Sequence, residues 1–158
     1  MIIIGIDPGL IKTGWGVINK LDNNVKYVAS GTIKTDTKLP IGERLLNIYD
    51  NVENLIKTYK PEVMSIEETF VNNNPLSSLK LGHARGVAIL AGAKNNLPIF
   101  EYSPNEIKKT LTGAGKAEKQ QMIAMVKYIF PSVQPKTEDE ADALCIAICH
   151  CNHIVKYW

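Results

Sequence analysis

Positions 2 to 6, Ile-Ile-Ile-Gly-Ile, carry no polar side chain. A run of that length predicts a strand buried on both faces. Asp7-Pro8-Gly9 follows as a turn, because proline fixes φ and glycine permits positive φ. Thr13 to Ile18 and Val25 to Ile33 predict two further strands, with Asn23-Asn24 between them. The first three strands therefore read as an antiparallel meander. Pro40 to Lys60 predicts a helix, since Leu45, Ile48, Val52, Leu55 and Ile56 recur at helical spacing. Pro61 ends it, and Val63 to Ile66 is a short apolar strand closed by Glu67. A strand reached through a helix implies a parallel crossover and hence a mixed sheet.

Thr69 to Pro75 is polar and asparagine-rich, so a loop. Leu76 to Asn95 predicts a second helix rich in small residues, among them Gly82, Ala84, Gly86 and Ala88. Glycine inside a helix costs about 1 kcal/mol relative to alanine, which a closely packed neighbour offsets. A two-fold mate against this helix is one such neighbour. Ile99 to Tyr102 is the last strand. Ser103-Pro104-Asn105-Glu106 is a capping box with proline at the first helical position, starting a short helix that ends near Gly113. Lys116 to Phe130 predicts another helix, and Thr137 with Glu140 places the start of the last one near Glu138. No repeat, low-complexity stretch or linker interrupts the chain, so residues 1–158 read as one α/β domain.

Composition narrows this only slightly. The chain has 158 residues, 45% apolar and 22% charged, with a net charge of +2. That is ordinary for a soluble globular protein, and any phosphate-binding surface must come from local clustering. No apolar run reaches the ~18 residues of a membrane span, and the N-terminus lacks a signal-peptide pattern. A cytoplasmic location without membrane contact is expected. Cys145, Cys149 and Cys151 crowd one predicted helix with His150 and His153. An odd number there is a poor disulfide framework. Cys149, His150 and Cys151 point in different directions on a helix, so buried thiols describe them better than a zinc site.

Acidic residues change the picture more. Asp7 and Glu67 each close an apolar strand, where a carboxylate is expensive unless exposed, paired or metal-bound. Asp139 and Asp142 lie three apart on the last helix and share a face. Glu138 and Asp142 share one too, and spacing does not choose between Glu138 and Asp139. Mg²⁺ binds through few carboxylates plus substrate phosphate. Two such ions about 4 Å apart activate water and stabilise a leaving 3′-oxygen in phosphodiester hydrolysis. Bland readings exist for each acid alone: a turn cap for Asp7, a strand end for Glu67, a solvated helix start for the pair.

Five segments follow one another along the chain: Gly5-Ile6-Asp7-Pro8-Gly9 with Thr13-Gly14-Trp15-Gly16-Val17; Ile66-Glu67-Glu68-Thr69-Phe70; Leu79-Lys80-Leu81-Gly82-His83-Ala84-Arg85-Gly86; Gly113-Ala114-Gly115-Lys116-Ala117-Glu118-Lys119; and Asp139-Glu140-Ala141-Asp142-Ala143-Leu144. Together, in that order, they resemble the RuvC family of crossover-junction endodeoxyribonucleases. Trp15 and Cys145 depart from the family's usual residues, away from the chemistry. The resemblance implies a ribonuclease-H-like fold: a mixed five-stranded sheet, its first three strands antiparallel, flanked by helices. It implies a homodimer that nicks two opposed strands of a four-way DNA junction, leaving 5′-phosphate and 3′-hydroxyl ends, in recombination and repair. Asp7, Glu67, Asp139 and Asp142 fall on the family's catalytic and metal-binding carboxylates, which favours Asp139 over Glu138. Two Mg²⁺ ions are implied, with Mn²⁺ as a substitute, and so is a RuvA–RuvB branch-migration partner.

The resemblance also gives meaning to residues that a bland reading would leave in the core, for Phe70, or on a solvated basic face, for the lysines. Phe70, just past Glu67, is expected to stack on a base unpaired at the crossover. Lys108 and Lys119 are expected near the scissile phosphate. Lys116, Lys80 and Arg85 are weaker DNA-binding candidates. Two other classes compete with this reading. One is an actin- or sugar-kinase-like ATP-binding domain, whose first hairpin also holds phosphate but whose fold needs two such domains. The other is a non-catalytic junction-binding module, which would gain nothing from acids at a DNA surface.

Overall fold

The structure is a computed structural model, described here for residues 1–22, 24–68 and 73–154. Its centre is a five-stranded sheet. Strands β1 (Ile2–Asp7), β2 (Lys12–Leu21) and β3 (Asn24–Lys34) form the expected antiparallel meander. Helix α1 (Ile41–Tyr59) leads to β4 (Val63–Glu67), and α2 (Pro75–Lys94) leads to β5 (Ile99–Tyr102). Both crossovers are parallel, and the strand order is β3-β2-β1-β4-β5. Three helices complete the chain: α3 (Pro104–Thr112), α4 (Lys119–Ile129) and α5 (Glu138–Ile154).

The helices divide between the two faces of the sheet. Ile4, Ile6, Val17, Met64 and Ile66 face Ile48, Val52, Ala84 and Ala88 of α1 and α2. Ile3, Ile18 and Val63 face Leu144, Ile146 and Ile148 of α5, with Val126 and Ile107 from α4 and α3. Because side chains alternate along a strand, Ile3, Gly5 and Asp7 point to the α5 side. The parallel pairing sets Ile3 beside Val63 and Ile6 beside Ile66. Continued by one residue, that register puts Asp7 and Glu67 side by side, both facing α5.

Helix α5 lies very close to this surface. A Cβ on Gly5 would collide with the Ala143 carbonyl oxygen, and one on Gly14 with that of Asp139. Gly14 is the β2 partner of Asp7. Its missing side chain therefore lets the start of α5 approach the end of β1. The start of α5 is also tied to β3. Thr32 and Thr137 hydroxyls share a hydrogen bond at 2.8 Å, and the buried Glu140 carboxylate accepts from Ser30 Oγ at 3.2 Å. Glu140 further accepts from the Lys136 N–H at 3.3 Å.

Most boundaries match expectation within a residue or two, with two instructive departures. The fourth helix begins at Lys119 rather than Lys116, because buried Ala117 belongs to a turn and Glu118 caps the helix. The Glu118 N–H donates to the Gln121 side chain at 2.8 Å, closing that cap. Strands β2 and β3 extend beyond their apolar stretches to Leu21 and Lys34. Backbone pairing continues there although Asn19, Lys20 and Lys34 are polar.

Gly14→Ala should force the Asp139 carbonyl to move. Overpacking of this kind costs about 1–3 kcal/mol, a fall of about 2–10 °C in Tm for a chain of this size. Thermal unfolding by circular dichroism measures it, and an unchanged Tm would show that α5 can retreat freely.

Candidate active site

Asp7 and Glu67 reach the α5 face from the sheet, and Asp139 and Asp142 meet them from the first two turns of α5. Their electrostatic effects on one another report the convergence. Burial pushes the Asp7 carboxyl up to about 8, and Glu67, Asp142 and Asp139 push in the same direction while Lys119 opposes them. Burial likewise raises Glu67 to about 7, with Asp142 adding to it and Lys108 opposing it. Asp142 is raised mainly by burial, against the pull of Lys119. Buried like charges behave in this way, because each carboxylate loses water and gains a repelling neighbour.

Among the described residues, no three histidine, cysteine or acidic side chains are grouped tightly enough to hold an ion as they stand. The chemistry of the donor set still fits a hard divalent cation. All four donors are carboxylates, the ligand preferred by Mg²⁺, and an ion with several waters bridges wider gaps than direct ligation does.

A cleft of about 230 Å³ opens over this cluster, lined by Glu67, Asp142, Lys108, Lys119, Met122 and Cys145, among others. Lys108 comes from α3 and Lys119 from the first position of α4. The Lys119 Nζ lies 2.8 Å from Glu138 Oε2 and 3.5 Å from Asp142 Oδ2. The structure thereby separates the two acids that spacing left tied. Glu138 is exposed and turned to Lys119, whereas Asp139 is among the acids that act on Asp7.

The remaining candidates fall in different places. Lys116 is exposed in the turn between α3 and α4. Lys80 is exposed on α2 and lines a second cleft with Lys12, Arg44 and Gly9, beside the turn that follows Asp7. Arg85 is half-buried, and its guanidinium is already engaged within the chain. Its Nε donates to the Glu67 carbonyl oxygen at 3.1 Å, and its terminal nitrogen pairs with Glu101. Phe70 and Asn72 lie outside the described residues. Asn74 caps α2, its side chain accepting from the Ser77 N–H at 3.2 Å. The cysteines and His150 of α5 are buried, and His150 Nδ1 meets the Tyr102 hydroxyl at 2.7 Å.

Sequence reasoning missed two participants. Glu140 is buried and anchors α5 to β3, although its capping-box spacing was a readable signal. Lys12 joins Lys80 only through the fold, since 68 residues separate them.

Acids on adjacent strands, faced by acids on a helix across the same sheet surface, define a ribonuclease-H-like fold with a carboxylate centre. Comparison with known proteins narrows the class. Residues 3–150 match the family model described as crossover junction endodeoxyribonuclease RuvC. The RuvC of Rhizobium etli is 46% identical over 151 residues, covering 96% of this chain and 89% of its own. That of Paramagnetospirillum magneticum is 46% identical, covering 97% and 92%. Among solved structures, Thermus thermophilus RuvC in complex with Holliday junction substrate superposes with a TM-score of 0.91 at 30% identity, covering 98% of this chain and 94% of that one. A yeast mitochondrial Holliday junction resolvase shares the fold, with a TM-score of 0.66 at 16% identity. This chain belongs to the RuvC family of crossover junction endodeoxyribonucleases.

The buried acids make stability depend on pH. Folded Asp7 keeps its proton until about pH 8, whereas the unfolded group releases it near 3.8. Between those values the folded chain holds the extra proton, so stability falls as pH rises. Burial lowers His150 to about 4 from the usual 6.5. The unfolded chain holds that extra proton between those values, which offsets the Asp7 effect there. Above pH 6.5 only the acidic effect remains. In EDTA, Tm should therefore fall from pH 6.5 to 8, and Asp7→Asn should flatten the slope and raise Tm at pH 8. A rising Tm in the parent chain would contradict the burial of these acids.

Proposed function

We propose that this protein is a metal-dependent junction resolvase, acting as a homodimer that nicks two opposed strands of a four-way DNA junction. The observation that carries the reading is the placement of Asp7 and Glu67 side by side on parallel strands, facing Asp139 and Asp142. Family membership and the relative solved on Holliday junction substrate support the same substrate class. Residues 1–158 act as one nuclease domain.

Asp7, Glu67, Asp139 and Asp142 would hold two Mg²⁺ ions, with Mn²⁺ as a substitute. When bound, such ions activate an attacking water and stabilise the leaving 3′-oxygen, giving 5′-phosphate and 3′-hydroxyl ends. The chain's own groups set the stage for that chemistry. Asp7, on which the other three acids all act, would serve as a ligand common to both ions. Lys108 and Lys119 bring positive charge to the cleft that the scissile phosphate enters. Lys119 exchanges its contact with Asp142 for that phosphate. Lys80 and Lys116 lie on exposed surface and contact backbone phosphates farther out. For Phe70 the support is its sequence position, three residues beyond Glu67, and the family resemblance, which implies an aromatic there that would stack on a base unpaired at the crossover.

A two-fold partner suits the exposed face of α2. Leu79 and Leu90 are 58% and 59% exposed there. Gly82 and Gly86 lie between them, with open space above their Cα atoms. Small residues flanked by leucines allow two helices to approach closely about a two-fold axis, which matches a substrate with two strands to cut. Among the described residues no helix is long and apolar enough to cross a membrane. The proposal includes a cytoplasmic location and a RuvA–RuvB partner, which family membership supports.

A synthetic four-way junction with Mg²⁺ should yield paired nicks at symmetric positions. Asp7→Asn should lower the cleavage rate by at least about a thousandfold while leaving junction binding in a gel shift intact. Cleavage at the parent rate would refute the carboxylate assignment. Leu90→Glu should shift the protein toward monomer in sedimentation and convert paired nicks to single, unlinked ones. A dimer of parental strength would move the interface off α2.

A further inference from the structure

Glu67 is the last residue of β4, and its side-chain direction depends on a strand end held by few bonds. The Glu68 N–H donates to the Tyr102 carbonyl at 2.9 Å, which fixes the strand on the β5 side. The Glu67 carbonyl is fixed by Arg85 alone among the contacts described, through Nε at 3.1 Å. The same guanidinium pairs with Glu101, the β5 neighbour of Ile66. One side chain thus joins α2, the end of β4 and β5. The fork geometry of arginine allows both contacts at once, whereas lysine has a single ammonium to divide between them. The Arg85 side chain as a whole is only 21% exposed and already paired, so it is poorly placed for a DNA phosphate.

We propose that Arg85 is a positioning residue for cleavage: with Glu101 it clamps the end of β4 and so holds Glu67 in the carboxylate centre. The proposal rests on the nuclease reading above. Its physical basis is that Glu67 faces a like-charged Asp142. A repelled side chain on a frayed strand end would swing toward the open cleft. Anchoring its carbonyl from behind removes that freedom. Arg85 touches no reacting atom, and it acts through the backbone of a residue that does. Because it stands on α2, the clamp also links the helix proposed to pair subunits with the centre that cuts.

The test uses Arg85→Gln, Arg85→Lys, Glu101→Gln and the double variant R85Q/E101Q, each first shown by circular dichroism to fold. Cleavage of a synthetic four-way junction is followed under single turnover with saturating protein and Mg²⁺. Junction affinity and its salt dependence are measured separately in EDTA. Arg85→Gln should slow cleavage by about 10–100-fold, the usual loss when a supporting partner of a ligand is removed. Affinity should stay within about twofold and the salt slope should not change. Glu101→Gln should slow cleavage in the same direction, the double variant should be no slower than Arg85→Gln, and Arg85→Lys should recover only part of the rate. Weaker binding with a salt slope reduced by about one, and an unchanged rate at saturation, would make Arg85 a phosphate contact instead.

Hydrogen exchange at the Glu68 amide separates the clamp from the nuclease reading. It should speed up about tenfold in Arg85→Gln, whether or not the parent chain cuts junctions. An unchanged exchange rate overturns the clamp, whereas a parent chain that leaves junctions uncut overturns the function. If Arg85→Gln fails to fold, Glu101→Gln carries both readouts with the arginine intact.

Discussion

The close approach of α5 to the first two strands is the constraint on which the site depends. It exists because Gly5 and Gly14 present no Cβ to the Ala143 and Asp139 carbonyls. With any larger residue there, α5 would stand off the sheet, and its two aspartates would not face Asp7 and Glu67. The ties from Thr137 and Glu140 to β3 fix the rotation of the helix as well as its distance. Packing of α5 against the sheet thus decides which acids meet at the ends of its central strands.

That packing has an electrostatic cost. Four carboxylates share a half-buried space, and the ordinary pKa order is upset there. Lys119 relieves part of the repulsion at Asp7, and Lys108 part of it at Glu67. They sit on separate helices joined by a turn, so neither is locked to the acids by the sheet. This arrangement leaves the negative charge concentrated and the positive charge able to turn toward a phosphate. Stability and reactivity pull against each other, as is common where catalytic charge is gathered in advance.

Helix α2 carries a different division of labour. One face packs on the sheet through Ala84, Ala88 and Ala91. The other exposes leucines and glycines at helical spacing. Arg85 lies between these faces and reaches the end of β4. A single helix therefore borders the surface proposed for the partner and the backbone that aims Glu67.

Much of this was legible in residue order. Period-two and period-3.6 patterns, with Pro61, Pro104 and the capping residues as punctuation, place every strand and helix to within a few residues. Asp7 and Glu67 were visible because a carboxylate closing an apolar strand is costly. Their neighbourhood was not, since it depends on the parallel register of β1 with β4. Spacing left Asp139 and Glu138 tied; the family resemblance favoured Asp139, and the structure turns Glu138 toward Lys119. Arg85 shows the limit most plainly. In sequence it is a cation on a helix near a loop, and the natural reading is DNA contact. Its two partners are 18 and 16 residues away, brought together by the crossover that seats α2 over β4 and β5. Local pattern determined the elements and the inventory of charge. Only tertiary packing decided which charges face one another, because distances between side chains on different elements are set by register and close approach, which local periodicity does not encode.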